Sequence, residues 1–174
     1  MPNRRLPGTL ELVQGNAVLG TIDQRTAALT FRIDVALRPN LTVQYYGAPF
    51  LANGSYREFK RVTVPHAAAY QDRFHVFGPE EIQYADGNYE VDENQDGSVD
   101  YEFHDPDFEA RDFNSNLVLR WEYQPGSLFY LVWSQARSGF VTDGNLSVGD
   151  DMHALFDVHP HNVFLVKLSK WFSL

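Results

Sequence analysis

Between residues 92 and 100 the sequence reads Asp-Glu-Asn-Gln-Asp-Gly-Ser-Val-Asp, with an oxygen-bearing side chain at alternate positions and a glycine at the sixth. That spacing suits a hard divalent cation, because Ca²⁺ takes roughly six to eight oxygen ligands and a tight loop can wrap one ion. In this reading Asp92, Asn94 and Asp96 offer side-chain oxygens, Ser98 its backbone carbonyl, and Asp100 a carboxylate, directly or through water. The twelfth position of an EF-hand counted from Asp92 is Phe103, so the bidentate Glu is missing. A shorter loop of the thrombospondin-repeat kind stays open. The same run also reads as an acidic hairpin turn made by Asp96-Gly97. Calcium is the one cofactor the sequence suggests.

Arg32, Asp34, Arg120, Glu122 and Lys167 form a second polar set, defined by strand alternation. In Ala28–Leu37, Leu29, Phe31, Ile33, Val35 and Leu37 fall on one face and Arg32 and Asp34 on the other. A period of two marks a half-buried strand. Leu117, Leu119, Trp121 and Tyr123 likewise oppose Arg120 and Glu122, and Phe164, Val166 and Leu168 oppose Lys167. In a barrel these five charges would form a hydrated polar network in the lumen. In an ordinary sheet they would face solvent.

Other chemistry has less support. His159-Pro160-His161 is the one close histidine pair, and a transition-metal site would need a further ligand such as His153 or Asp157. No G-x-S-x-G, Walker or H-E-x-x-H pattern occurs. Glu80 and Glu81 are adjacent, and in an extended segment they point to opposite faces. With no cysteine there is no disulfide, thiolate site or cysteine nucleophile. No residue is assigned a catalytic role.

The chain of 174 residues carries 14 Lys and Arg against 23 Asp and Glu, a net charge of -9. Nucleic acid is not an expected partner, because displacing its counterions needs a basic face. The acidity is local: residues 51–114 hold 15 acids and 5 bases, the rest of the chain 8 and 9. The longest clearly apolar run, Leu128–Trp133, falls far short of the roughly 20 residues of a spanning helix. No secretory signal opens the sequence, so the chain is read either as cytoplasmic or as a C-terminal piece of an exported protein.

These residues need strands to position them. Ala28–Leu37 and Leu41–Tyr46 read as one hairpin around Arg38-Pro39-Asn40, and Asn116–Tyr123 and Leu128–Gln135 as another around Gln124–Ser127. A last strand is expected from Asn162 to the end, a short helix over Val148–Phe156, and weak strands in residues 1–25, for example around Leu10–Val13. Residues 51–114 read as a long acidic surface insert within one partial domain spanning 1–174. Short turns alternating with long connections, a ten-residue strand, and aromatics gathered near strand ends (Tyr45, Tyr46, Phe50, Trp121, Tyr123, Trp133, Trp171, Phe172) suit an outer-membrane barrel. The expected class is all-β and antiparallel: the C-terminal strands of such a barrel, forming an open curved sheet if the chain is a fragment, with one short helix.

The stretches LTVQYYGAPFLANGSYREFKRV (41–62), DPDFEARDFNSNLVLRWEYQPGSLFYLVWSQ (105–135) and NVFLVKLSKWF (162–172) resemble the C-terminal part of a bacterial family of unknown function. Its full-length members carry an N-terminal domain similar to carbohydrate-binding module family 9, followed by an outer-membrane β-barrel. The resemblance covers residues from about 20 onward, and NLVLRWEYQPGS is its most specific run. It implies an outer-membrane location with lipid as partner, and an upstream portion of the same protein holding the signal peptide and a saccharide-binding domain. The chain ends in Leu174 where such barrels commonly end in Phe. The expected function is structural and transport-associated. The alternatives are a soluble β-sandwich ligand-binding module whose insert carries the site, and a carboxylate-based hydrolase.

Overall fold

The computed structural model describes residues 6–7, 11–13, 15–142 and 147–172. The strands are β1 (Leu6–Pro7), β2 (Glu11–Val13), β3 (Asn16–Ala28), β4 (Phe31–Arg38), β5 (Leu41–Val62), β6 (Phe74–Val76), β7 (Ile82–Ala85), β8 (Asn88–Val91), β9 (Tyr101–His104), β10 (Phe108–Gln124), β11 (Ser127–Val141) and β12 (His161–Ser169). One α-helix, α1, spans Val148–Asp157. The protein is all-β and antiparallel with one short helix, and its sheets are open. Leu10 and Leu174 lie outside the described residues. No described helix is long and apolar enough to cross a membrane, which leaves crossing by strands untouched.

The chain divides into two compact units, and β3, β5 and β10 each contribute residues to both. The first gathers residues 1–25, 53–109 and 142–145. Residues 51–114 are therefore less of a free insert than the sequence suggests: β5 continues to Val62, β10 begins at Phe108, and the stretch between is built. Its three-stranded sheet has the order β7-β8-β9. Asp86 and Gly87, both at positive φ (49° and 86°), turn β7 into β8. An Asp-Gly pair takes that conformation at little cost, and its twist matches the flanking strands. Phe59 of β5 packs on Tyr89 and Phe103 with ring centroids 4.6 and 5.1 Å away, and Val91 is fully buried beside them. Gly20 lets this cluster come close to β3, since a Cβ there would sit 3.0 Å from the Phe59 ring.

The second unit holds residues 26–52, 110–141 and 146–174. Its sheet has the order β4-β5-β10-β11-β12, in which only the step from β5 to β10 joins strands that are not consecutive in sequence. Pro39-Asn40 joins β4 to β5, and Pro125-Gly126 joins β10 to β11 with Gly126 at φ 74°. The two turns meet: Asn40 O accepts the Glu122 N–H at 2.8 Å, and Asn40 Nδ2 donates to Glu122 O at 3.0 Å. β5 thus starts where β10 ends, and the two run antiparallel. The long connections, 53–109 and 142–160, leave from the strand ends opposite these turns. Leu29-Thr30 breaks the single expected strand into β3 and β4, with the Leu29 N–H still bonded to Pro49 O at 3.1 Å. Gly47, opposite Phe31 in the ladder, leaves room for the Phe31 ring over its Cα.

Candidate functional site

Ladder registers fix the two faces of the second unit's sheet. Arg32 pairs with Tyr46 and Asp34 with Gln44, whereas Ile33 pairs with Tyr45 and Val35 with Val43. Across the other hairpin Tyr130 pairs with Lys167 and Val132 with Leu165, while Phe129 pairs with Leu168, Leu131 with Val166 and Trp133 with Phe164. Arg32, Asp34, Gln44, Tyr46, Asn116, Val118 and Val132, together with Tyr45 from the adjoining position, line one hollow of about 510 Å³. Of the five predicted charges, Arg32 and Asp34 line this hollow, whereas Arg120 and Glu122 on β10 and Lys167 on β12 are not in its lining.

The five charges have different partners. The Arg32 guanidinium sits 6.0 Å from the Tyr46 ring centroid. Arg120 Nε approaches the Tyr130 hydroxyl at 3.3 Å, directly across from Lys167 in the next ladder. Glu122 Oε1 accepts the Gly126 N–H at 2.9 Å and so serves the turn more than the hollow. No ion pair joins the five among the described residues.

The opposite face is apolar and open. Ile33, Val35, Leu37, Trp121, Phe164, Val166 and Leu168 are all exposed, the last three by 67, 63 and 67 %, and on β12 the hollow's side exposes Val163 and Leu165 as well. No described element covers them. Burial of a side chain this size is worth about 1.5–3 kcal/mol, so a continuous face left bare is a surface made for an apolar neighbour. β4 and β12 also each have one partner strand, leaving two ladder edges open among the described residues.

The 92–100 run closes a loop between β8 and β9. Asp92 accepts the N–H groups of Asp96 (3.2 Å) and Gly97 (2.9 Å); Asn94 also accepts that of Asp96 (2.8 Å), and Asp96 that of Ser98 (2.8 Å). Asp100 Oδ2 takes the Glu93 N–H at 2.9 Å. Gln95 and Gly97 adopt positive φ to make the bend. The structure brings the five sequence-predicted residues into one loop, whose side-chain oxygens hold up its own backbone. Among the described residues no group of three or more His, Cys, Asp or Glu is arranged to hold a metal, and this includes the histidines around Pro160.

Several working residues carry no sequence signal. Glu93 accepts from Arg61 Nε and the Tyr101 hydroxyl, both at 2.7 Å. Burial works against the Glu93 carboxylate, but these bonds outweigh it and hold the acid below its usual range. Burial and then the Glu93 charge push the Tyr101 phenol well above its ordinary value. Glu81 takes the Gly78 N–H at 2.6 Å and the His75 ring at 2.8 Å, and the first of these holds it low. Asp107 accepts from the Tyr56 N–H (2.6 Å) and the Ser55 hydroxyl (2.9 Å). Much of the acidity of 51–114 is therefore structural. Compared with protein-family models, curated proteins and solved structures, the chain finds no match in any of the three.

Proposed function

We propose that the second unit is a segment of outer-membrane β-barrel wall, with its apolar face toward lipid and its polar hollow toward the lumen. The carrying observation is the bare face of Ile33, Val35, Phe164, Val166 and Leu168, backed by a polar surface on the same strands. A barrel wall in lipid needs this inversion, apolar outside and polar within. A soluble sandwich would bury the same face under a second sheet, and no described element does so. Short turns at one end and long connections at the other agree with the barrel pattern.

The role is structural and transport-associated: a wall that anchors, and passes polar solutes beside, a saccharide-binding domain encoded upstream. The saccharide and the upstream domain rest on the family resemblance, and the wall on the faces of the sheet. A second reading, a calcium loop at 92–100, rests on the spacing of Asp92, Asn94, Asp96, Ser98 and Asp100 within one loop. Glu80, Glu81, Glu90 and Asp92 line one hollow, but Glu81 is taken up by the Gly78 N–H and the His75 ring and Asp92 by the N–H groups of Asp96 and Gly97, which disfavours carboxylate-based hydrolysis there.

The decisive experiment uses Trp121, Trp133 and Trp171 in the folded chain, reconstituted with phosphatidylcholine brominated on its acyl chains. Strong quenching of tryptophan emission is expected. A chain that stays monodisperse without detergent and shows no quenching would end the membrane reading in favour of the soluble module.

A further inference from the structure

On the side of the long connections the apolar face ends in a row of contacts that leads straight to α1. Trp133 stacks on Phe164, with centroids 6.0 Å apart and planes within 4°. Its indole N–H donates to Asn162 Oδ1 at 2.9 Å, and Gln135 Nε2 donates to the same oxygen at 3.3 Å. Gln135 Oε1 in turn accepts from Arg137 Nε at 3.5 Å. Arg137 Nη1 donates to the carbonyls of Phe156 and Val158, the latter at 2.8 Å, at the end of α1. Residues 133, 135 and 137 alternate along one strand and share a face. The helix is therefore pinned to the apolar side of the sheet, just past the limit of its bare face, and away from the polar hollow.

The helix has its own division of labour. Leu155 is fully buried, and Asp151 is buried and 3.2 Å from Arg111 Nη2. Phe113 meets Phe156 at 5.2 Å between ring centroids. Val148, Met152 and Phe156 recur at four-residue spacing and form a second row, and Phe156 joins it to the docked side through Phe113 and the Arg137 guanidinium, 5.4 Å from its ring centroid. Val148 and Phe156 are left 53 and 47 % exposed. Asp150, His153 and Asp157 lie on the remaining arc, all exposed.

We infer that α1 is an interfacial helix, lying in the headgroup layer of the bilayer with its Val148–Met152–Phe156 row among the upper acyl chains. The occupant of this surface is a zwitterionic phospholipid headgroup layer, and this rests on the membrane reading above. The bare face of the strands ends at Trp133, from which Asn162, Gln135 and Arg137 lead to the helix, and indole rings settle where hydrocarbon gives way to headgroups. Asn162 accepts the indole N–H there at an exposed position. α1 carries three Asp and no Lys or Arg, and Arg111 pairs with Asp151. A neutral headgroup layer fits that charge where an anionic one would repel it. Helices of this type sink about 5–10 Å into the headgroup boundary.

The chain has no native cysteine, so single cysteines can carry a nitroxide at defined places. Val166→Cys, Phe156→Cys, Val148→Cys and His153→Cys, all at exposed positions, are reconstituted in phosphatidylcholine vesicles. Collision of each label with oxygen and with a water-soluble nickel complex is then read by electron paramagnetic resonance. The label at 166 should see oxygen and little nickel. Those at 148 and 156 should show a nickel-to-oxygen ratio roughly threefold or more below the label at 153. If 148 and 156 are as open to nickel as 153 while 166 is lipid-protected, the interfacial helix is refuted and the membrane wall stands. If 166 is nickel-accessible too, the wall falls and the helix assignment with it. A Phe156→Ser chain gives an independent reading, since tryptophan quenching by bromolipid should persist while the label at 148 moves toward water. No such movement at 148 would also overturn the assignment.

Discussion

Arg61 Nε lies 2.7 Å from Glu93 Oε1, tying the far end of β5 to the residues that follow β8. The Tyr101 hydroxyl reaches the same oxygen, so one carboxylate closes three pieces of chain in the first unit. Both groups are mostly shielded, with 28 and 21 % of their side chains exposed. This contact also makes the unit sensitive to pH at both extremes.

The acid limb follows from Glu93. Its folded-state pKa is depressed, so its contribution is present above the ordinary glutamate range near about 4.3 and is lost as pH falls through the folded value. The alkaline limb follows from Tyr101, whose folded pKa is raised. That contribution is full below about pH 10 and fades as pH climbs. Denaturant melts read by ellipticity from pH 3 to 11 should show both limbs. Glu93→Gln should flatten the acid limb and cost on the order of 2 kcal/mol at neutral pH; an unchanged profile would remove Glu93 from this role.

Neighbouring residues on β12 face opposite ways and give a paired test of the wall. Val166→Arg places a charge on the bare apolar face and should cost about 2–4 kcal/mol of folding into phospholipid. Leu165→Arg faces the polar side, where the change should be under about 1 kcal/mol. Urea titration in vesicles measures both, and equal costs would contradict the assignment of faces.

Asp151 and Arg111 hold α1 against β10 with little solvent access. Asp151→Ala leaves a mostly buried guanidinium without its carboxylate, a change that typically costs roughly 3 kcal/mol or more. Hydrogen exchange over residues 147–160 should rise sharply while β4 and β5 keep their protection. Uniform loss across the sheet would mean that the pair stabilises more than the helix.

In the 92–100 loop, Asp92→Ala removes the acceptor for two backbone N–H groups and should loosen the turn by about 1–2 kcal/mol. Bound calcium would add a second effect, a midpoint raised by Ca²⁺ in the wild-type chain and not in Asp92→Ala. Identical midpoints with Ca²⁺ and with chelator would dismiss the metal and leave the turn-making role.

Alternation makes β4, β5, β10 and β12 legible, as in Phe31, Ile33, Val35 and Leu37, whereas Leu128–Gln135 of β11 is apolar on both faces and its phase cannot be read from sequence. Proline and glycine marked both short turns. β3 was harder, since its buried positions Val18, Gly20 and Ile22 include a glycine selected for close approach to Phe59. The β7–β8 hairpin did carry a readable signal, Asp86-Gly87 between Ile82–Ala85 and Asn88–Val91, hidden inside a stretch dominated by acids. The candidate calcium residues were legible as a cluster, whereas their use as backbone acceptors was not. Arg111–Asp151, Arg61–Glu93 and the Arg137 contacts join residues far apart in sequence, where no local pattern can announce them.

The mutual hydrogen bonds of Asn40 and Glu122 also impose a rule of parity. They fix β5 and β10 as antiparallel, the hairpins do the same for β4 with β5 and β10 with β11, and the last ladder does so for β12. β4 and β12, the strands with open edges, therefore point the same way. A ring that alternates direction at every step cannot close by joining two strands of like sense. Any closed wall built on these five strands must interpose an odd number of others, and a cylinder of the smallest bacterial size, about eight strands, would take three.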